Sequence, residues 1–216
     1  VINGAGNGGM IATSDKKLNE KIRLLRSWGR SSSLFQEDSE SIENRFNVYL
    51  EGVQYDAKFV FEEIGYQLEP SEMSAAFALI QYNKLEENIR LRQKIFERHS
   101  LFFSKYSEYF ILPNENPDAK TAWLAYPLIV KEDAPFKRTD LQIYLEKRNI
   151  QTRVVFTGNI LRQPGFKDIN CVGYKDDFVN ADNVMKGGIL LACHHGLNEE
   201  QLDHLYSSLE GFLINQ

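Results

Sequence analysis

The strongest constraint on this chain is the alternation of short apolar runs with capped amphipathic helices in its C-terminal half. Ala122 to Val130 reads as a mostly buried strand. Thr139-x-x-Gln142 has the form of a capping box opening a helix with Leu141, Tyr144 and Leu145 inside. Ile150 to Phe156 follows as a β-branched strand and Ile189 to Ala192 as another short one. Asn198-x-x-Gln201 then opens a last amphipathic helix marked by Leu202, Leu205, Leu209 and Phe212. That order predicts a small α/β domain closing the chain.

The N-terminal part is less regular. Met10 to Thr13 is β-capable, and Thr13-Ser14-Asp15 supplies an N-cap cluster for a helix striped by Leu18, Ile22 and Leu25. This helix should end near Trp28-Gly29, with Gly29 as the C′ residue. Ser31 to about Glu51 shows no period and reads as a long surface loop. Order returns over Tyr55 to Ile64, and the turn Gly65 to Pro70 leads into a helix with Ser71 as N-cap and Glu72 in its first turn. Met73, Ala76, Phe77 and Ile80 stripe it, and the helical pattern runs on past Leu85, Ile89 and Phe96 toward Phe103. The predicted division is therefore residues 1–70, a long connecting helix over 71–105, and a closing domain over 106–216.

Composition narrows the function classes. The 216 residues, 43% of them hydrophobic, suffice for a sizeable core. No apolar run has the length of a membrane span, so a soluble, cytoplasmic protein is expected. A formal net charge of -5 argues against a nucleic-acid partner. The two cysteines, Cys171 and Cys193, make neither a disulfide framework nor a zinc motif. Cys193-His194-His195 is read as a structural turn, because consecutive side chains point apart and rarely converge on one ion.

Gly4, Gly6, Gly8 and Gly9 allow two readings. Glycines let backbone N–H groups approach an anion, and they equally permit close packing and positive φ. A dinucleotide loop, and with it a dehydrogenase, is disfavoured because the run precedes a strand rather than following one.

Three stretches carry a family resemblance. They are Gly6-Asn7-Gly8-Gly9-Met10-Ile11 with Arg23 to Arg30, Ile64-Gly65-Tyr66-Gln67-Leu68 with Ser71 to Ala76, and Gln151-Thr152-Arg153 through Gly158-Asn159-Ile160-Leu161-Arg162-Gln163-Pro164. Together they resemble the C-terminal part of the DegT/StrS family of nucleotide-sugar aminotransferases, with the third stretch similar to its 3-dehydratase branch. The resemblance implies a pyridoxal-phosphate enzyme of fold type I. It further implies a remnant of the large cofactor domain, a long connecting helix and an α+β small domain.

The same resemblance assigns roles residue by residue. The Schiff-base lysine, or the histidine replacing it in dehydratases, belongs at or before Val1. No catalytic residue is therefore expected in this chain, which reads as a fragment, inactive alone and holding the cofactor weakly or not at all. Gly6, Asn7 and Gln67 are the cofactor-binding candidates, Gln67 reaching the phosphate in a neighbouring subunit. Glu69 stands where many relatives carry a basic residue, and it would repel a phosphate. Arg30, Arg153, Asn159, Arg162 and Gln163 are the candidates for a nucleotide-sugar substrate, arginine suiting a diphosphate by its fork geometry. Ser31, Ser32 and Ser33 follow Trp28-Gly29-Arg30 where the iron–sulfur branch places cysteines, and hydroxyls do not hold such a cluster. Transamination or a cluster-free dehydration of a 4-keto-6-deoxy sugar in polysaccharide biosynthesis remains, carried out by a homodimer. The competing reading is a non-catalytic binding or dimerisation module.

Overall fold

The computed structural model describes residues 4–6, 8–35, 42–166 and 168–214, and these divide into two compact units between Asn83 and Lys84.

The first unit begins with α1 (Lys16–Arg26), whose N-cap is Asp15, its carboxylate accepting the Leu18 N–H at 3.1 Å. The buried residue of this helix is Leu24 and not one of the expected stripe: Leu18 is exposed and Ile22 and Leu25 are half-buried. The helix closes differently from expectation. Trp28, at φ 58°, takes the left-handed C′ position, and Gly29, at φ 83°, follows it and bonds back to the Leu24 carbonyl at 2.8 Å. Only glycine fits there, because a Cβ would collide with the Glu63 carbonyl. The Trp28 N–H donates to Tyr66 O, and short backbone bridges join Ser27 to Gln67 and Arg30 to Phe61.

Met10 to Thr13 is not a strand but exposed coil, since among the described residues no strand supplies the ladder a β-run needs. The expected loop over Ser31 to Glu51 is instead partly ordered. It holds a 3-10 turn at Ser31–Leu34, the single-turn helix α2 (Ile42–Arg45) and strand β1 (Val48–Leu50), which pairs antiparallel with β2 (Val53–Tyr55). Glu51 and Gly52, at φ 48° and 88°, form the two-residue connection. Glutamate in the first left-handed position hid this hairpin. Arg45 ion-pairs with Asp56 across the base of the hairpin, and that guanidinium holds the Asp56 carboxyl down at about 2.

Helix α3 (Glu72–Tyr82) starts at Ser71 as expected, although the Ser71 hydroxyl makes no capping bond. None of its residues is buried, and Met73 and Leu79 are 83% and 65% exposed. The helical pattern read as continuous to Phe103 breaks at Asn83–Lys84, where α3 ends and α4 (Leu85–Phe103) begins.

The second unit contains α4, β3 (Phe110–Ile111), β4 (Ala125–Val130), α5 (Arg138–Glu146), β5 (Arg153–Val154), α6 (Val179–Gly187), β6 (Gly188–Ala192) and α7 (Glu199–Leu213). Its four strands lie in the order β3-β4-β6-β5, every pair antiparallel, as an α+β arrangement requires. Alternation buries Tyr126, Leu128 and Val130 of β4, and Ile189 and Leu191 of β6 are buried with them. Phe96 and Phe103 of α4, Leu141 and Leu145 of α5, and Leu205 and Leu209 of α7 complete one continuous core. At its centre, His99 Nδ1 meets the Tyr206 hydroxyl at 2.8 Å and Nε2 meets the Ala192 carbonyl at 2.9 Å. Burial pushes the His99 pKa down, so a neutral ring ties α4 to β6 and α7.

Several boundaries move. Helix α5 opens at Arg138, with the Asp140 carboxylate accepting the Lys137 N–H at 2.9 Å, in place of the Thr139/Gln142 box. The Asn198/Gln201 box is present as read, both reciprocal bonds formed at 2.9 and 3.0 Å. The strand expected over Ile150 to Phe156 shrinks to two residues, because left-handed Phe156 and Gly158 turn the chain out of the sheet. Helix α6 was not anticipated from the sequence; among its nine residues only Gly187, at the join with β6, is buried. Among the described residues no helix is long and apolar enough to cross a membrane.

Leu209 is fully buried at the centre of α7. Leu209→Ala is expected to cost about 2–5 kcal/mol in urea unfolding. Leu101→Ala, at a side chain 72% exposed, should stay within about 0.5 kcal/mol.

Candidate functional site

In the first unit Arg30 and Gln67 lie at or beside the turn at Trp28 to Arg30. The left-handed pair at Trp28 and Gly29 lets Arg30 fold its guanidinium back over the indole, 4.4 Å from the ring centroid. The Arg30 Nε is buried and has no hydrogen-bond partner among the described residues. A planar donor held by stacking and left unsatisfied is suited to an oxyanion. Ser33 Oγ donates to Arg30 O at 2.8 Å and Ser31 Oγ to Val60 O at 3.4 Å, so both hydroxyls serve the backbone of the turn.

Gln67 pairs through its backbone with Ser27, at the foot of that turn. Its side chain is exposed and has no partner among the described residues. Glu69, read from the sequence as a repelling charge, is held by Arg26 Nε at 3.2 Å and by the Ser27 hydroxyl. Its charge is thereby spent within the turn. Gly6 passes so near the start of α3 that a Cβ there would touch Ser74 Oγ at 3.4 Å. Asn7 and Val1 lie outside the described residues.

The second unit holds Arg153, Asn159, Arg162 and Gln163. Arg153 is exposed on β5, an edge strand, and no carboxylate partners it among the described residues. Asn159 is 2% exposed and nearly saturated. Its amide donates to Lys175 O at 2.8 Å and Asp182 Oδ1 at 2.9 Å, while its carbonyl caps the Leu161 N–H at 3.1 Å. Arg162 reaches both carboxylate oxygens of Asp182, at 2.6 Å to Oδ2, and Asp176 Oδ1 at 3.0 Å. Gln163 donates to Thr157 O at 3.2 Å. The segment between β5 and α6 is thus latched by Asn159, Arg162 and Asp182, and Arg162 has its fork occupied by protein carboxylates.

Sequence reasoning missed Asp176 and Asp182. Neither stands out in an acidic, unpatterned stretch, and only the return of α6 onto the 159–162 turn gives them a partner. It also missed His99, whose one sequence signal is its place on the apolar stripe between Phe96 and Phe102–Phe103. Cys193 is fully buried against Arg92 O, and burial pushes its thiol up to about 12. His194 Nδ1 instead accepts the Gly196 N–H at 3.2 Å, in keeping with a structural turn.

The guanidinium of Arg162 and the amide of Asn159 hold the Asp182 carboxyl at about 2, below its ordinary 3.8. A depressed carboxylate contributes stability that is full above its ordinary pKa and lost as the pH falls through the native one. The latch should therefore loosen as the pH drops from about 4 toward 2. Asp182→Asn is expected to remove that acid transition and to speed trypsin cleavage at Lys175 several-fold at neutral pH, read by limited proteolysis.

The model of the DegT/DnrJ/EryC1/StrS aminotransferase family matches residues 2–210. The lipopolysaccharide biosynthesis protein RfbH of Salmonella typhimurium is 29% identical over 96% of this chain and 48% of its own. A dTDP-4-dehydro-2,6-dideoxy-D-glucose 3-dehydratase of Saccharopolyspora spinosa is also 29% identical, over 97% of this chain and 45% of its own. The structure of an E. coli GDP-4-keto-6-deoxy-D-mannose-3-dehydratase with bound hydrated PLP superposes with a TM-score of 0.73 at 25% identity, covering 91% of this chain and 48% of that one. The chain spans about half the length of these relatives. The glycine run, the Trp28–Arg30 turn and the Gly158–Pro164 stretch all fall within the matched span, and the chain belongs to the DegT/DnrJ/EryC1/StrS aminotransferase family.

Proposed function

We propose that this chain forms part of a pyridoxal-phosphate enzyme acting on a nucleotide-linked 4-keto-6-deoxy sugar, by transamination or by a dehydration without an iron–sulfur cluster, in polysaccharide biosynthesis. The observation that carries the reading is the Trp28–Arg30 turn. It holds one buried, unsatisfied guanidinium nitrogen in the same unit as the free Gln67 amide, within a matched family span.

The donor chemistry fits the phosphate end of the cofactor. Gln67 is an uncharged donor with no competing partner, Gly6 and Asn7 lie in a stretch where backbone N–H groups can approach an anion, and the pairing of Glu69 with Arg26 removes the repulsion its charge would exert. The donor set does not extend to the aldehyde end. The described lysines of the first unit, Lys16, Lys17, Lys21 and Lys58, lie on α1 and the 57–59 turn, and Lys21 is paired with Glu63. When bound, pyridoxal phosphate supplies the electron sink for a substrate carbanion.

The work of this chain's residues is binding and orientation. In the second unit Arg153, free on its edge strand, supplies charge for a diphosphate and Gln163 adds a donor; in the first unit Arg30 offers the same fork chemistry. Asn159 and Arg162 serve the site by fixing the segment that carries Gln163. In this reading the enzyme is a cytoplasmic homodimer, and the exposed apolar residues of α3 are covered in the whole protein. That same unburied helix favours the second reading, a dimerisation module without catalysis.

In the whole protein, Gln67→Ala is expected to weaken pyridoxal-phosphate uptake about tenfold or more, the worth of one hydrogen bond to a charged group, as measured by absorbance titration. Arg153→Gln should raise the KM for the nucleotide sugar by a similar factor and leave cofactor uptake unchanged. Absence of any cofactor uptake by the whole protein would favour the dimerisation module. With glutamate supplied, an aminated sugar product would identify transamination and a 3-deoxygenated one dehydration.

A further inference from the structure

A second cluster of cations lies in the second unit, among residues given no part in the reading above. A cleft of about 860 Å³ opens where the end of β4, the 131–137 connection and the first turn of α5 meet the end of α6. Its floor is tight. A Cβ on Gly187 would strike the Val130 carbonyl, so α6 is held directly against β4. Lys131, Lys137, Arg138 and Lys186 all line it, and none has an ion pair among the described residues. Lys186 exerts a pull on Asp182 only at longer range.

Arg138 is the informative member. Its Nε is buried without a hydrogen-bond partner among the described residues, and its Nη1 makes one long contact, 3.5 Å, to Gly188 O. Arg138 lines the cleft, and a guanidinium with so few protein hydrogen bonds can present its terminal N–H groups to a two-oxygen acceptor there. Three acids share the cleft, Glu132, Asp133 and Asp140. Asp140 is committed to the Lys137 N–H. Glu132 and Asp133 are exposed on the connecting loop and ion-pair with none of the four cations. The cleft therefore carries one more cation than acid in a chain whose formal net charge is -5.

We propose that this cleft is a binding site for a phosphate oxyanion, with Arg138 giving the bidentate contact and Lys131, Lys137 and Lys186 the surrounding positive charge. The site is separate from the residues assigned above to cofactor and sugar nucleotide, and its test does not depend on that assignment.

Inorganic phosphate and pyrophosphate, titrated at constant ionic strength and followed by calorimetry and backbone NMR, should each bind saturably and shift the amides of 137–140 and 183–187. Arg138→Gln should weaken binding at least tenfold and Arg138→Lys, which keeps the charge but loses the fork, several-fold. Lys105→Gln, an exposed cation elsewhere, should leave it unchanged. If Arg138→Gln loses the native circular dichroism, the Lys131→Gln/Lys137→Gln double variant takes its place with the same expected loss. GDP binding ten times tighter than pyrophosphate would make a nucleotide the occupant, and equal binding would make it free phosphate. No saturation, shifts confined to other residues, or binding unaltered in the Arg138 and double-lysine variants would overturn the proposal.

Discussion

The antiparallel pairing of β4 with β6 is the constraint on which the second unit depends. It runs from Ala125 opposite Ala192 to Ile129 opposite Gly188, and each functional candidate of the unit is positioned from it. Strand β5, with Arg153, is held to the sheet by two residue pairs with β6. Helix α6 enters β6 through Gly187 and Gly188, two positions where a Cβ would meet the Val130 and Val184 carbonyls. That entry brings Asp182 onto the 159–162 turn and also sets the floor of the Arg138 cleft. Glycine at both positions is thus a packing requirement at the join between helix and strand.

Several arginines of this protein are committed to carboxylates. Asp182 holds Arg162, Asp56 holds Arg45 and Glu69 holds Arg26, each pair bracing a turn or a loop. Arg30, Arg153 and Arg138 have no carboxylate partner among the described residues. Arg30 is stacked on Trp28 with an orphan nitrogen, Arg153 stands free at a sheet edge, and Arg138 lies unpaired in a cleft. An arginine with a carboxylate partner braces the fold, whereas one without a partner keeps its donors available.

The two units differ in how their apolar residues are used. In the second, aromatic and aliphatic side chains from three helices and the sheet interlock around His99, Phe103 and Tyr126. In the first, α3 buries nothing, and Phe46, Phe59, Phe61 and Tyr66 are exposed. A helix apolar over most of its circumference is stable in water only when something covers it.

The sequence by itself determined the elements whose signals are local. The Asn198/Gln201 box, the α7 stripe, the apolar run of β4 and the acid at the start of α1 are each set by neighbours within about one helical turn or a few strand residues. The motif stretches were legible for the same reason, being contiguous. Tertiary structure decided what depends on distant partners. It ordered the hairpin inside an unpatterned segment, stopped β5 at two residues, and placed Trp28 rather than Gly29 at the left-handed helix end because Tyr66 takes its N–H. It also sorted the candidate arginines, since whether a guanidinium is braced or free depends on carboxylates such as Asp176 and Asp182. Those lie 14 and 20 residues from Arg162 in the chain, and only the fold brings them within hydrogen-bond reach.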